Sequence, residues 1–382
     1  MWKYIFSGVV MKIIDQGIIY SGENVPELSS CAFPSICKLK NGRLIASFKG
    51  GKTKGPYNVD DHGMTCISDD NGMTWSEPFQ QFIPPVVNGI PTTIRTLYYV
   101  EIADGNLLAV CNAVDGTMAD LPYYNEETEG LKDTYIMVSH SPDGGKSWSE
   151  LERIQVEAFR DMPLPLTGAP FVTGDGRVGI QFEVNKPYYE TEYWVHHSCV
   201  VFSSDGGYTW GDEVVITDDP DIYYWDQRVD TLSDGRIVDI FWTFDRKLGD
   251  YINIHYCEST DGGKSFCSPR DIGLVGQPGN IIDGKDGSML AIYINRDSAP
   301  VIRLAESKDK GNTWTDAMII YDFGANTKGK QNTGMNDVWA EMAAFSVGHP
   351  FIERLDGDRA IAYFYSGPST HRTDFHYVII EL

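Results

Sequence analysis

The sequence predicts an all-β protein, a six-bladed β-propeller folded as one domain over residues 1–382. Three observations carry that expectation. An octamer of the form S-x-D-x-G-x-[ST]-[WF] recurs five times, with starts 48 to 73 residues apart. A strand, a tight glycine turn and a second strand stand at the same place in each repeating unit. The third apolar strand then runs straight into the octamer. A unit repeating on this scale indicates a solenoid, a propeller or an array, and four antiparallel strands per unit make one propeller blade.

The octamers are SDDNGMTW from Ser68, SPDGGKSW from Ser141, SSDGGYTW from Ser203, STDGGKSF from Ser259 and SKDKGNTW from Ser307. Their upstream hairpins read ICKLKNGRLIASF, YYVEIADGNLLAV, PFVTGDGRVGIQF, VDTLSDGRIVDIF and IIDGKDGSMLAIY. A sixth unit, FIERLDGDRAIAYFY followed by HYVIIEL, has three strands before the sequence ends. The N-terminal KIIDQGIIY is expected to supply its fourth strand and leave no open edge. Within each octamer the Asp is expected to accept turn amides, the Gly to take positive φ and the Trp to face the next blade. The octamer turn joins third to fourth strands, so it marks the face opposite the chemistry.

Composition bounds the rest. A formal net charge of −23 argues against nucleic acid or an anionic membrane as a partner. No run reaches the roughly 18 apolar residues of a membrane span. The 7 cysteines are scattered without a CxxC pair, which suits a reducing, cytoplasmic compartment and indicates neither zinc nor a disulfide framework. Export to the periplasm or beyond is the alternative. Residues 1–11 have one Lys and a short apolar run with no small-residue cleavage site, and read as a non-essential extension. No cofactor or metal ligand set is indicated.

Polar-aromatic clusters concentrate in the loops that enter first strands or join second to third strands. They include GGKTKGPYNVDDHG, PYYNEETEG, KPYYETEYWVHH, YYWDQR and NRDSAP. Aromatic rings that stack on sugar faces, beside charged groups that bond hydroxyls, point to a carbohydrate substrate. Trp225 is the stacking candidate in YYWDQR, with Arg95 and Arg228 as candidates to hold an acidic or hydroxylated group.

The octamers are Asp-boxes, and the chain from residue 12 onward resembles the sialidase-like, or neuraminidase, propeller superfamily. That resemblance implies a fold strongly and an activity weakly, because hydrolases, lyases and binding proteins share it. It implies an arginine triad, a general-acid Asp and a Tyr nucleophile assisted by Glu. Ala32 stands where the first arginine is expected, in Ala32-Phe33-Pro34-Ser35. Asp60 falls at the acid position, with Asp61 as the register-slipped alternative. Asp226 takes the Glu position. The second arginine has only Arg246 nearby, and Arg296 fits the third loosely. Phe345 occupies the nucleophile position and lacks the hydroxyl.

A glycoside hydrolase that is not a standard retaining sialidase is therefore expected, with Asp60 and Asp226 as its carboxylate pair. Asp226 acts either as the base of an inverting mechanism or as a direct nucleophile. A polysaccharide lyase would instead use His62, His197 or Tyr189 as base with Arg228 as the carboxylate partner. A non-catalytic carbohydrate-binding propeller is the third reading. Glu341, His197 and His349 are further binding candidates for which a structural role is the plainer explanation.

Overall fold

A computed structural model describes residues 11–55, 60–118, 120–297, 299–324 and 344–382. Among the described residues six antiparallel sheets are arranged as the blades of a propeller, and Tyr124–Asn125 pairs with Gly130–Leu131 as a separate two-stranded ribbon. Blade 1 comprises Ser30–Lys38, Leu44–Gly51, His62–Ser68 and Phe79–Gln80. Blade 2 has Ile90–Ala103, Asn106–Asp115, Thr134–Ser141 and Glu152–Arg153, with Val86–Val87 added beyond its first strand. Blade 3 has a short first strand, Phe171–Val172, then Val178–Val184, His197–Ser203 and Gly211–Thr217. Blade 4 is built from Ile222–Thr231, Ile237–Asp245, His255–Ser259 and Arg270–Asp271. Blade 5 runs Gln277–Asp283, Met289–Asn295, Val301–Ser307 and Thr315–Asp322. Blade 6 takes Val347–Arg354, Arg359–Ser369 and Arg372–Glu381 from the C-terminal end. Lys12–Ser21 pairs antiparallel with Arg372–Glu381 and forms the outermost strand of that sheet.

The inner strands, such as Leu44–Gly51, Val178–Val184 and Met289–Asn295, are buried on both faces because each sheet packs between two others, so they read as nearly continuous apolar runs, while outer strands such as Lys12–Ser21 are largely exposed. The core divides accordingly into clusters between neighbouring blades. Phe48 and Ile36 of blade 1 share one with Phe375 and Tyr363 of blade 6, and Leu39 and Ile45 share another with Leu97 and Leu107 of blade 2. Buried amides stitch the same seams. Asn112 of blade 2 donates to Leu164 O and accepts from Leu166 N. Asn280 of blade 5 donates to Ile352 O at 3.1 Å and accepts from Ile352 N at 2.9 Å on blade 6. Each amide meets donor and acceptor needs that burial would otherwise leave costly.

The octamers form the turns that the sequence predicts for them. Ser141 donates to Asp143, whose carboxylate accepts the Ser147 amide at 2.9 Å and the Ser147 hydroxyl at 2.6 Å. Trp148 Nε1 donates back to Gly145 O at 3.1 Å, and its ring packs edge-on against Phe82 from the segment following blade 1. Matching bonds recur at Asp70, Asp205, Asp261 and Asp309. The strand His62–Ser68 starts at loop 52–61 and ends in the first of these turns. The Asp-box therefore lies at the end of the blade opposite that loop.

The first strands share a second feature. In blades 1, 4, 5 and 6 two residues oppose one on the second strand: Phe33-Pro34, Asp226-Gln227, Gly279-Asn280 and His349-Pro350. Blade 2 has a single extra residue there, Arg95. These β-bulges bend the strand and re-aim a side chain. Phe33, Asp226 and His349 adopt φ of +52°, +48° and +53°. Such values are uncommon for side-chain-bearing residues and cluster at functional sites.

Candidate functional site

Four of the five bulges converge on one cavity of about 210 Å³ at the end of the ring opposite the Asp-boxes, while Asn280 of the blade 5 bulge borders a second cavity. Phe33, Arg95, Asp226 and His349 all line it, each from the bulge of a different blade. Blade 3, whose first strand is cut short, contributes Pro165, Leu166 and Thr167 instead, together with Glu183 from its second strand and Asn185 just past that strand's end. Tyr123, Tyr124 and Glu126 come from the loop between the second and third strands of blade 2. Trp225, Trp242, Phe345 and Tyr365 complete an aromatic wall, with Tyr98 on the blade 2 side.

Asp226 is the central carboxylate. Its Oδ2 accepts from Gln277 Nε2 at 2.6 Å, and its amide donates to Glu183 Oε1 at 2.7 Å. The other Glu183 oxygen lies 3.2 Å from His196 Nε2. Gln277 is held in turn by Arg296, which donates to its Oε1 and to Val347 O. The Arg296 guanidinium lies over the Phe345 ring, 4.3 Å from its centroid. It can cross the backbone there because residue 348 is glycine. At Gly348, with φ +152°, a Cβ would come within 2.3 Å of the guanidinium.

Three cations line the same cavity. Arg95 lies over both Phe33 and Tyr123, at 4.5 and 4.9 Å from their centroids. Arg296 faces it from blade 5. Lys54, from loop 52–61, donates to Phe345 O at 3.2 Å and lies 5.6 Å from the Tyr365 ring centroid. Burial, reinforced by the charges of Arg296 and Arg95, holds the Lys54 ammonium down at about 7. Burial and the charges of Arg228, Arg95 and Lys54 keep His349 neutral, well below the ordinary histidine range. In a chain of net charge −23 this mouth sets those three cations beside three carboxylates, Glu126, Glu183 and Asp226.

The structure places the sequence-derived candidates in three groups. Asp226, Arg95, Arg296, Trp225 and His349 line the cavity. Asp226 and Arg95 lie inside first strands, at bulges, rather than at strand openings as the sequence suggests. Asp60, Asp61, Arg228, His62 and His197 do not line it. Asp60 is exposed in the loop that carries Lys54. Asp61 is buried in an ion pair with Lys49, Nζ to Oδ2 3.1 Å, and its side chain packs where a Cβ on Gly51 would collide with it.

Arg228 is turned beneath the cavity floor. Its NH1 donates to Asp226 O at 2.6 Å and to Gln227 O at 3.0 Å, and its side chain borders a second cavity at the other end of the inner strands. His62 pairs with Gly50 in the blade 1 sheet, and His197 stacks on Trp194 at 5.2 Å. Tyr189 is exposed. Glu341 lies outside the described residues. Lys54, Glu183, Gln277 and Trp242 escape the sequence reading as individuals. The only signal for Lys54 was its place in the polar loop GGKTKGPYNVDDHG.

Among the described residues no group of three or more His, Cys, Asp or Glu is placed to hold a metal ion, and no helix is long and apolar enough to cross a membrane. The arrangement provides one oriented carboxylate, cations for an acidic group and aromatic faces for a ring.

Solved structures agree on the fold. A protein of unknown function from Dyadobacter fermentans superposes with a TM-score of 0.75 at 20% identity, covering 97% of this chain and 99% of that one. The intramolecular trans-sialidase from Ruminococcus gnavus, in complex with oseltamivir carboxylate, gives 0.64 at 12% identity over 95% and 97% of the two chains. The NanB sialidase from Streptococcus pneumoniae gives 0.64 at 14%, over 96% of this chain and 70% of its own. No curated protein matches the chain in sequence. The model of the BNR repeat-like domain matches residues 115–327, which take in four of the five Asp-boxes and the bulge that presents Asp226. Repeat, bulged strands and matched span together make this chain a member of the BNR repeat-like domain family.

Proposed function

We propose that the cavity is the active site of a glycoside hydrolase acting on a saccharide that carries an acidic substituent. The observation that carries the proposal is the setting of Asp226: a carboxylate fixed at φ +48° by a bulge and held by Gln277, facing a mouth lined by Lys54, Arg95 and Arg296. A glycosidic bond breaks through a transition state with positive charge on the sugar ring, and a fixed carboxylate stabilises that charge as it develops. The cations hold the acidic substituent, and the Trp225–Trp242 wall supplies apolar faces for the ring.

Phe345 cannot act as a nucleophile, so Asp226 either activates water or attacks the anomeric carbon itself. Asp60, exposed and outside the cavity lining, is given no role in the step and serves as the control position. The solved sialidases of this fold support a saccharide substrate, and Phe345 lacks the hydroxyl that the resemblance places at the nucleophile position.

The test is hydrolysis of a panel of acidic and neutral aryl glycosides by the wild type, Asp226→Asn and Asp60→Asn, with the first-formed anomer read by NMR. Inversion assigns Asp226 as base and retention as nucleophile. Full activity in Asp226→Asn, or an unsaturated ultraviolet-absorbing product, sinks the assignment, and Asp60→Asn is expected to keep its activity. In the second case elimination replaces hydrolysis.

A further inference from the structure

Two tyrosines stand exposed beside the cavity mouth. Tyr189 is 70% and Tyr193 67% exposed, in the loop that joins the second and third strands of blade 3. Among the described residues one other tyrosine is as exposed, Tyr208. It belongs to an Asp-box turn at the other end of the ring, and His140 stacks on its ring at 4.1 Å.

The loop that carries Tyr189 and Tyr193 is braced. Lys186 Nζ donates across it to Glu192 O at 3.0 Å, and Trp194 Nε1 donates to Val184 O at 3.1 Å. Tyr188 O accepts from Asn125 Nδ2 at 2.9 Å and from Thr128 Oγ1 at 2.6 Å. Those two donors sit in the blade 2 loop that gives the cavity Tyr124 and Glu126. Rings displayed on a braced loop can take a ligand with little loss of conformational freedom.

A ladder of contacts joins this rim to the cavity. Trp225, in the cavity wall, stacks on Tyr223 with centroids 5.0 Å apart. The Arg246 guanidinium lies 4.8 Å from the Tyr223 centroid and 5.8 Å from that of Tyr193. Glu129 lies 3.7 Å from Arg246 and accepts from the Tyr223 hydroxyl at 3.4 Å. Tyr193 is thus within reach of a chain whose end occupies the cavity.

Charge narrows what that chain can be. Glu190 and Glu192 are exposed in the same loop, and Glu126 and Glu127 in the neighbouring one. On a protein of net charge −23 these carboxylates repel a run of acidic sugars and leave neutral ones unopposed.

We propose that Tyr189 and Tyr193 form a rim platform on which neutral units of a longer glycan stack, while its acidic unit occupies the cavity. The C–H faces of the sugar rings cover the tyrosine rings, and the nearby carboxylates accept from sugar hydroxyls. The inference rests on the reading of the cavity as a saccharide site, and adds to it the length and charge of the saccharide.

The test is affinity electrophoresis in native gels that contain mixed-linkage β-glucan, arabinoxylan, galactomannan or dextran. Polygalacturonate and hyaluronan serve as acidic counterparts. Retardation by at least one neutral polymer is expected, with mobility unchanged in the acidic ones. Tyr189→Ala with Tyr193→Ala is expected to raise the dissociation constant at least about tenfold. Tyr189→Phe with Tyr193→Phe keeps both rings and is expected to stay within about twofold of the wild type.

Retardation by none of the neutral polymers overturns the proposal, as does equal or stronger retardation by the acidic ones. Undiminished retardation of the alanine pair overturns the placement at Tyr189 and Tyr193. Asp226→Asn is expected to be retarded like the wild type, and its turnover of aryl glycosides is measured separately. Failure of the platform and failure of the hydrolytic reading are therefore separately visible.

Discussion

The main-chain amide of Asp226 donates to the Glu183 carboxylate at 2.7 Å, so a side chain of blade 3 fixes the backbone of blade 4 at its bulge. A strained residue keeps one conformation only when its surroundings over-determine it, and this bond is part of that constraint. Glu183→Ala leaves the amide without its acceptor and is expected to cost about 1–3 kcal/mol of stability. Glu183→Gln, which keeps an acceptor oxygen, is expected to cost less. Urea denaturation of both variants checks the order.

Asp226→Asn preserves the shape of the side chain and tolerates positive φ, but removes the charge. Turnover is expected to fall by roughly 10²–10⁴ while the melting temperature stays near that of the wild type. Asp226→Ala is expected to lose activity and also about 1–2 kcal/mol from placing alanine in the left-handed region. Calorimetry beside kinetics separates the two effects.

Asp61 and Lys49 form a buried pair, 1% and 1% exposed, apart from the cavity lining. Removing one partner strands the other charge, and Asp61→Asn is expected to destabilise by about 3–5 kcal/mol. The double substitution Lys49→Met with Asp61→Leu is expected to recover part of that loss. Asp60→Asn, one residue away and exposed, is expected to leave the denaturation midpoint unchanged.

Bonds from Thr74, Ser147 and Thr209 hold the Asp70, Asp143 and Asp205 carboxyls down at about 2. An unfolded Asp titrates near 3.9, so this stabilisation is complete above about pH 4 and is lost as the pH falls towards 2. Thermal melts from pH 7 to pH 2 are expected to decline most steeply in that window. Asp143→Asn is expected to melt below the wild type at pH 7 and to converge with it at pH 2.

Lys54 gives the opposite sign. Burial first, then Arg296 and Arg95, bring it to about 7 in the folded protein, against about 10.4 unfolded. The charged form therefore destabilises the fold fully below pH 7, and the penalty fades as the pH rises towards 10. Lys54→Met is expected to raise the melting temperature by roughly a few degrees at pH 6 and by less at pH 10. Differential scanning calorimetry at both pH values tests this.

The architecture was legible in the sequence because it is repetitive. Five copies of one octamer mark third-to-fourth strand turns, and the local bonds within each octamer are formed by residues no more than four apart. Asp226, Arg95 and Arg296 were legible by their positions within the repeat. What could not be read is how the bulges aim them. A bulge changes facing by one residue, which placed Phe33 in the cavity and sent Arg228 under its floor. Asp60 and Asp61, just before the strand His62–Ser68, differ likewise, one exposed and the other buried against Lys49. Lys54 and Glu183 were silent because burial among distant charges has no local signature.

Bulges on the first strands also carry a consequence for how such a scaffold diversifies. Phe33, Arg95, Asp226 and His349 each sit where the first-to-second-strand register slips, so exchanging them alters no Asp-box turn, and the contacts they give up lie at the cavity. Ligand preference can drift at these four positions while the Asp-box turns that shape each blade stay as they are. Saturating them together defines a small, self-contained library for moving the pocket to a new substrate.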